Sequence, residues 1–385
     1  MLAEAVATSL PTSIERLVQH AAREIRPLAT LTPIDAHRER QRLVDELRAG
    51  RPATPRWTYA PRKHEELRHA LTAAEKELSR RAEAPLDALC LARVRELSLE
   101  AALCGASGTR EVGRLAMERF ECKSRAEQGV ARALCAIWLD ESAPLAPTGP
   151  CIESDAADPR SLLERLRAAV SRLRLPLRVV AAPALAPLAA TGEGTIFVAS
   201  GRPLHEEDTR RTVLHEIEGH ALPRARSFGA SSTLFRVGTA RGVDDQEGRA
   251  LLLEERAGLL GPRRRRQLAA RHRAVETMLA GASFADVACA LVNVHGMDAA
   301  DAVVIAERAF RGGNGEQPGL GRERIYLESL VRVRAHLTAW PEDEHVLASG
   351  QIALDAIDAL RPFAPRRSFA SFANALASIA SELAL

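Results

Sequence analysis

Two short β-branched runs stand among long stretches of helical periodicity, and this imbalance limits what the chain can fold into. Residues 177–182 (LRVVAA) and 195–200 (TIFVAS) have the composition of strands. Elsewhere, apolar residues recur three and four positions apart between Arg and Glu, which is typical of amphipathic helices. The sequence therefore predicts an α+β fold that is predominantly helical and contains one small β-sheet.

Segments rich in proline and glycine divide this helical pattern. The periodicity predicts helices over residues 3–26, 36–49, 63–104, 110–139 and 160–173. Further helices follow residue 204, with breaks at 229–242, 261–262, 312–321 and 341. Because residues 141–159 (ESAPLAPTGPCIESDAADP) are rich in Pro, Ser and Asp, we expect a boundary there. The predicted regions are 1–145, 160–345 and a tail, 346–385, whose last residues form a helix packed on the body.

Composition excludes several classes of function. Among 385 residues, 53 basic and 50 acidic side chains nearly cancel and aromatics make up 4%, so we expect no nucleic-acid partner. No apolar run approaches the roughly 20 residues that span a bilayer, and the first residues do not resemble a secretory signal. The six Cys form no CxxC pair, which favours reduced thiols in a cytoplasm. Only three of the 53 basic residues are Lys, a bias that suggests a bacterial, GC-rich source. The sequence leaves the oligomeric state open.

The strongest local pattern is TVLHEIEGH at residues 212–220, which contains His215, Glu216 and His220. In a regular helix, two residues five positions apart lie about 140° apart around the axis. The two rings can therefore face one ion only if the helix widens into a π-type turn, which Gly219 would ease. The pattern alone leaves two interpretations open: a metal-binding helix, or a buried helix whose His and Glu bond one another.

A second copy of the pattern occurs at His64, Glu65 and His69. Almost every neighbour of these residues is charged. We therefore interpret the second copy as the solvated face of a helix.

The segment DDQEGRALLLEERAG (244–258) can complete a metal site. We expect Asp245 to cap a helix whose first turn offers Glu247 as an oxygen ligand. Glu254, seven residues on, would hydrogen-bond a ligand or compete as one. Two His and one carboxylate, with water at the open position, form a known catalytic zinc set, although Mn, Co or Fe would fit similar ligands. Glu216 would then be the general base for that water.

HEIEGH followed by QEGRA resembles the bacterial QEGLA-motif proteins, which are homologous to the microtubule-associated tyrosine carboxypeptidases with HEIGTH or HEIGVH and then EGLA. The resemblance covers about residues 30–340. It includes TPIDAHRERQRL…RWTYAP (32–61), GTIFVASGRPLHEED (194–208), RRQLAARHRAVETMLAGASFADV (265–287), AFRGG (309–313) and GRERIYLESL (321–330).

The resemblance implies a zinc metallopeptidase, with a zincin-like catalytic region over 160–345 preceded by the helical region 1–145. It implies that His215, His220 and Glu247 bind zinc and that Glu216 is the catalyst. The characterised eukaryotic members remove a C-terminal Tyr or Glu from a tubulin tail. The expected substrate is accordingly the C-terminus of a peptide or protein, whose backbone would pair with the strand at 195–200.

A carboxypeptidase needs a cation or a donor for the terminal carboxylate of its substrate. Arg311, Arg322 and Tyr326 are the candidates. The alternatives are a surface charge for either arginine and a packing role for the tyrosine.

The chain departs from the family pattern near the motifs. Arg249 replaces the Leu after EG, Arg322 and Glu323 replace Lys-Asp, and the run after the second His carries Pro223 and lacks an Asn-Gly pair. These segments are where substrate would be held. They leave the residue preference open, together with two alternatives: a metal-binding regulatory protein without hydrolysis, and an amide hydrolase acting on a small molecule or peptide-derived natural product.

Overall fold

The computed structural model describes residues 11–122, 124–141, 149–183, 185, 187–192 and 194–365. The α-helices of the first half are α1 Thr12–Glu24, α2 Pro27–Thr30, α3 Ala36–Arg48, α4 Glu65–Ser79, α5 Pro85–Gly105, α6 Glu111–Arg119, α7 Arg125–Asp140 and α8 Leu162–Arg172. Those of the second half are α9 Glu206–Leu214, α10 Leu222–Ser227, α11 Leu234–Val237, α12 Gly242–Arg256, α13 Pro262–Leu279, α14 Phe284–Asn293, α15 Ala299–Phe310, α16 Ile325–Ala339, α17 Glu344–Leu347 and α18 Ile357–Leu360.

A π-helix, His215–Ala221, joins α9 to α10. Short 3-10 helices occupy Arg322–Arg324, Pro341–Asp343, Leu354–Ala356 and Arg361–Phe363. The strands are β1 Ile152–Glu153, β2 Arg178–Ala182, β3 Ala189–Gly192, β4 Thr195–Ala199 and β5 Pro203–Leu204. The prediction of a mainly helical α+β protein is confirmed. None of the helices in the described segments is long and apolar enough to cross a membrane.

Two long helices predicted from the sequence are each divided, so those predictions were wrong. The chain turns between Ser79 and Pro85, because proline at the first position of α5 fits a helix start but not a helix interior. It turns again before α7, where Ser124 caps the helix by accepting a hydrogen bond from the backbone N–H of Glu127. The helix expected over 368–385 lies outside the described residues.

The main sheet has three strands, with β4 between β2 and β3. β2 runs parallel to β4 and β3 runs antiparallel to it, with Thr191 opposite Ile196. β1 and β5 form a separate antiparallel pair. The sequence did not predict β3, because the segment AATG is short and has a single β-branched residue. In the described part of the chain, β3 is an edge strand of this sheet, because β4 is its only neighbour there.

The buried apolar side chains form two clusters. The larger one combines helices before residue 140 with helices after residue 230, and it includes Leu251 of α12. The smaller one lies between α8, the sheet and the π-helix, and it includes Ile217 and Leu222. The π-helix and α12 thus face each other where the two clusters meet. The predicted boundaries at 145, 160 and 345 stay predictions, as does the cytoplasmic location.

Candidate metal centre

The turn containing HEIEGH is widened, as the hypothesis of a shared ion requires. Residues His215–Ala221 form a π-helix, whose extra residue in the turn brings the two imidazoles to one side. The ring centroids of His215 and His220 lie 5.0 Å apart with an angle of 65° between the planes. The π-helix therefore lets two histidines five positions apart face the same side of the helix.

Gly219 permits the π-helix to approach α12 closely. A Cβ atom at this position would lie 2.7 Å from the Cβ atom of Ala250, which is shorter than a carbon–carbon contact allows. Glycine here thus brings the two histidines within reach of the carboxylate that α12 carries.

That carboxylate is Glu247, in the second turn of α12. Its Oε2 atom lies 3.4 Å from His215 Nε2 and 3.8 Å from His220 Nε2. The three residues are buried or half-buried, and their candidate ligand atoms all lie within 4.8 Å of one another. The structure therefore brings together the three residues expected to bind a metal, of which His215 and Glu247 are 32 positions apart in the chain.

Asp245 does not cap α12, so that prediction was wrong. The helix begins earlier, at Gly242, and Arg241 occupies its N-cap position. Gly242 packs so closely on the backbone of Gln351 that a side chain there would collide with it. Asp245 is buried instead, where it bonds Arg332 and accepts the backbone N–H of Leu354 at 2.9 Å.

Both histidines are held through the nitrogen that faces away from Glu247. His215 Nδ1 donates to Glu254 Oε1 at 2.8 Å, and His220 Nδ1 donates to Gln246 Oε1 at 2.9 Å. Arg264 fixes Glu254 with two hydrogen bonds of 3.0 and 3.1 Å. Such contacts orient an imidazole and leave its Nε2 atom as a ligand. Sequence analysis pointed to Glu254 but missed Gln246, although it directly precedes Glu247 in the motif.

The charges of the site favour ionised carboxylates. Burial raises the pKa of Glu247, but His215, His220 and Arg322 together lower the pKa well below its usual value. Burial likewise opposes ionisation of Glu254, yet Arg264 and His215 lower its pKa to about 2. Burial lowers the pKa of His215, but its bonds to Glu247 and Glu254 raise that pKa to about 10. The positive charge of protonated His215 therefore lies at the position that a metal ion would occupy.

Glu216 extends from the π-helix towards the sheet. Thr191 of β3 donates a hydrogen bond from Oγ1 to Glu216 Oε2 at 2.7 Å. The Glu216 side chain is buried, with 5% of its surface exposed. Sequence analysis missed Thr191, because β3 gave no strand signal that would place it near the motif.

Of the residues expected to hold substrate, Arg322 and Tyr326 are joined to the site. Arg322 Nη2 donates to Glu247 Oε1 at 3.0 Å, and Arg322 Nη1 donates to the Tyr326 hydroxyl at 3.2 Å. Arg311, directly after α15, is buried, and no acceptor among the described residues hydrogen-bonds its guanidinium. Burial and the charge of Arg308 lower the pKa of Arg311. Arg311 is thus a buried cation in the neighbourhood of Arg322, without a direct bond to the candidate ligands.

The second copy of the motif belongs to the solvated N-terminal end of α4. Glu65 and His69 are exposed, and neither belongs to a metal-binding group in the part of the chain that the structure describes. The interpretation as a solvated helix face holds for Glu65 and His69, whereas His64 is half-buried and lies just before the helix, at its N-cap position.

Fold and site together define a mainly helical protein with a candidate His-His-Glu metal centre. The sequence profile of the microtubule-associated tyrosine carboxypeptidase family matches residues 47–370, and the chain belongs to that family. The resemblance inferred from the motifs is confirmed, and membership implies a peptidase of the carboxypeptidase type. No curated protein matches the chain.

Proposed function

We propose that the chain is a zinc-dependent carboxypeptidase that removes the C-terminal residue of a peptide or protein. One observation carries this proposal: His215, His220 and Glu247 converge, and Glu216, which follows His215 in the chain, is a second buried carboxylate. Two imidazoles and one carboxylate leave an open position for water and substrate in a catalytic zinc site.

The donor set and its spacing fit zinc. Ligand atoms about 2.0–2.1 Å from a tetrahedral zinc ion lie roughly 3.3 Å from one another. The separation of 3.4 Å between His215 Nε2 and Glu247 Oε2 agrees with that value. The 3.8 Å separation between His220 Nε2 and Glu247 Oε2, and the set as a whole, whose atoms lie within 4.8 Å of one another, need a contraction onto the ion. The mainly helical fold with a small sheet beside the motif helix is compatible with the zincin-like region that the family resemblance implies.

A zinc ion in this position supplies Lewis-acid activation of the scissile carbonyl and of the attacking water. The chain's own contribution is proton transfer. Glu216 accepts a proton from the water and passes it to the leaving amine. Thr191 holds Glu216 Oε2, so Oε1 is the atom that is free to take the proton.

Arg311 is our first candidate for the residue that binds the terminal carboxylate of the substrate. A buried guanidinium without an acceptor gains a charge-assisted hydrogen bond when a carboxylate arrives. Arg322 is already bonded to Glu247, so its role is to hold that ligand and to present Tyr326 towards the substrate.

The substrate backbone would pair with β3 and not with β4, because β4 has neighbours on both edges. The backbone N–H of Ala199 donates to Leu188, and hydrogen-bonded pairs alternate along an antiparallel ladder. The backbone groups of Ala189 and Thr191 accordingly point away from β4. An extended peptide at this edge would lie next to Glu216.

The test is a panel of peptides that differ only in the C-terminal residue, incubated with the zinc-loaded protein and analysed by mass spectrometry. The proposal predicts products that are one residue shorter, including from peptides ending in Tyr, the residue that the family name specifies. A metal-binding regulator would leave every peptide intact. An amide hydrolase of small molecules would cleave a blocked amide but no peptide, and either result would contradict the proposal.

A further inference from the structure

A polar cavity whose walls include none of the candidate metal ligands lies between α7, α13 and α16. Its volume is about 100 Å³, and its walls include Arg132, His272, Glu276, Arg324 and Glu328. A buried water needs about 10–15 Å³ of such space, so this cavity has room for a small organic molecule.

Glu328 is the unusual group of this cavity. Only 7% of the residue is exposed, yet nothing in the described segments hydrogen-bonds its carboxyl group. Burial raises the pKa of Glu328, with Arg324 and His272 acting in the opposite direction. Buried polar side chains usually have a hydrogen-bond partner, so the Glu328 carboxyl group at this cavity points to a ligand that donates hydrogen bonds.

Glu276 supplies a second acceptor on the facing helix. Its Oε1 atom accepts a hydrogen bond from Arg132 Nε at 2.8 Å. Its buried Oε2 atom lies 3.3 Å from Arg273 Nη1 in an ion pair and accepts no hydrogen bond from the described residues. Two carboxyl groups, one from α13 and one from α16, therefore face the cavity with capacity to accept.

Two arginines balance these carboxyl groups. Arg132 donates one N–H group to Glu276, and Arg324 donates to the backbone carbonyl of Phe120. Because each guanidinium has five N–H groups, both arginines retain donors. The cavity wall therefore carries groups of both signs of charge.

We propose that this cavity binds a small zwitterion of the size of a free α-amino acid. The ammonium group lies against Glu328 and the Oε2 atom of Glu276, and the carboxylate lies against Arg132 and Arg324. Neither a simple amine nor a simple carboxylate satisfies both halves of the wall. The inference does not depend on the proposed peptidase activity, because none of these residues belongs to the metal centre.

The test is isothermal titration of the zinc-loaded, full-length protein with glycine and L-alanine at millimolar concentration. Two matched probes each lack one charge: N-acetylglycine has no ammonium group and glycinamide has no carboxylate. We expect the amino acids to bind at least about tenfold more tightly than either probe. Equal binding of all four compounds, or no binding of the amino acids, overturns the proposal.

The variant Glu328→Gln should weaken amino-acid binding about tenfold. Its matched control is Glu255→Gln, since Glu255 lies on the exposed side of α12 and pairs with Arg334. Because Glu328 has no donor to lose, Glu328→Gln should unfold at the same temperature as the parent protein without ligand, or higher. Unchanged amino-acid binding in this folded variant contradicts the proposed site.

Discussion

Arg322 donates a hydrogen bond from Nη2 to Glu247 Oε1 at 3.0 Å, so a residue expected to hold substrate is bonded to a candidate metal ligand. The two residues are 75 positions apart. The 3-10 helix that carries Arg322 packs on α13 and leads into α16, which lies against α12. The bond from Arg322 fixes the Glu247 oxygen that does not face the histidines. The candidate metal centre is therefore hydrogen-bonded to the segment that we expect to bind the substrate.

Replacing Arg322 should weaken metal binding as well as activity. Arg322→Gln removes the charge that keeps Glu247 ionised and in place, and loss of such an orienting contact typically costs 10–100-fold in metal affinity. A competition titration with a zinc chelator measures the effect. Zinc affinity identical to that of the parent protein would show that the contact does not support the ligand.

Arg311→Gln should separate substrate binding from metal binding. Loss of a buried charge-assisted bond to the substrate carboxylate removes about 1.5–3 kcal/mol, so we expect kcat/KM to fall roughly 10–100-fold. Zinc affinity should stay unchanged, because Arg311 has no bond to Glu247. Steady-state kinetics on a peptide substrate and on its C-terminal amide provide the measurement. An equal loss on both substrates would argue against a role at the carboxylate.

Glu254→Gln should lower zinc affinity by about 10–100-fold, because His215 loses the carboxylate that orients it and Arg264 loses its partner. Glu255→Gln, one position along the same helix, is the control and should have no effect, since Glu255 forms only an exposed ion pair with Arg334. Chelator competition compares the two variants. Similar zinc affinities in both would remove Glu254 from the site.

Gly219→Ala should destabilise the protein by about 1–3 kcal/mol, since the added methyl group overpacks the contact between the π-helix and Ala250. Gly129→Ala is the control on α7, where an added Cβ atom meets nothing within 4 Å. The control should be stabilised by about 0.5–1 kcal/mol, because alanine is the better helix former. Urea unfolding measures both, and equal stability of the two variants would refute the close approach.

The sequence alone pointed to the three candidate metal ligands because they lie in two short segments. His215 and His220 share one helix, and Glu247 belongs to a motif that the family resemblance marks. The requirement for a π-type turn followed from the spacing of five, and the structure has that turn.

The partners of these ligands depend on packing between distant segments, which periodicity does not reveal. Thr191 lies on a strand of four residues with little β-branched character. The bond between Arg322 and Glu247 arises from the docking of α16 on α12. Asp245 looked like a helix cap, but the helix starts at Gly242, which packs against the backbone of the distant residue Gln351.

The central claim is that His215, His220 and Glu247 bind one ion next to Glu216. Anomalous diffraction at the zinc edge, on zinc-loaded crystals of the Glu216→Gln variant, tests it most directly. The account predicts a single strong peak about 2.0–2.2 Å from His215 Nε2, His220 Nε2 and a Glu247 oxygen. A peak elsewhere, or none at this site in crystals grown with excess zinc, would contradict it.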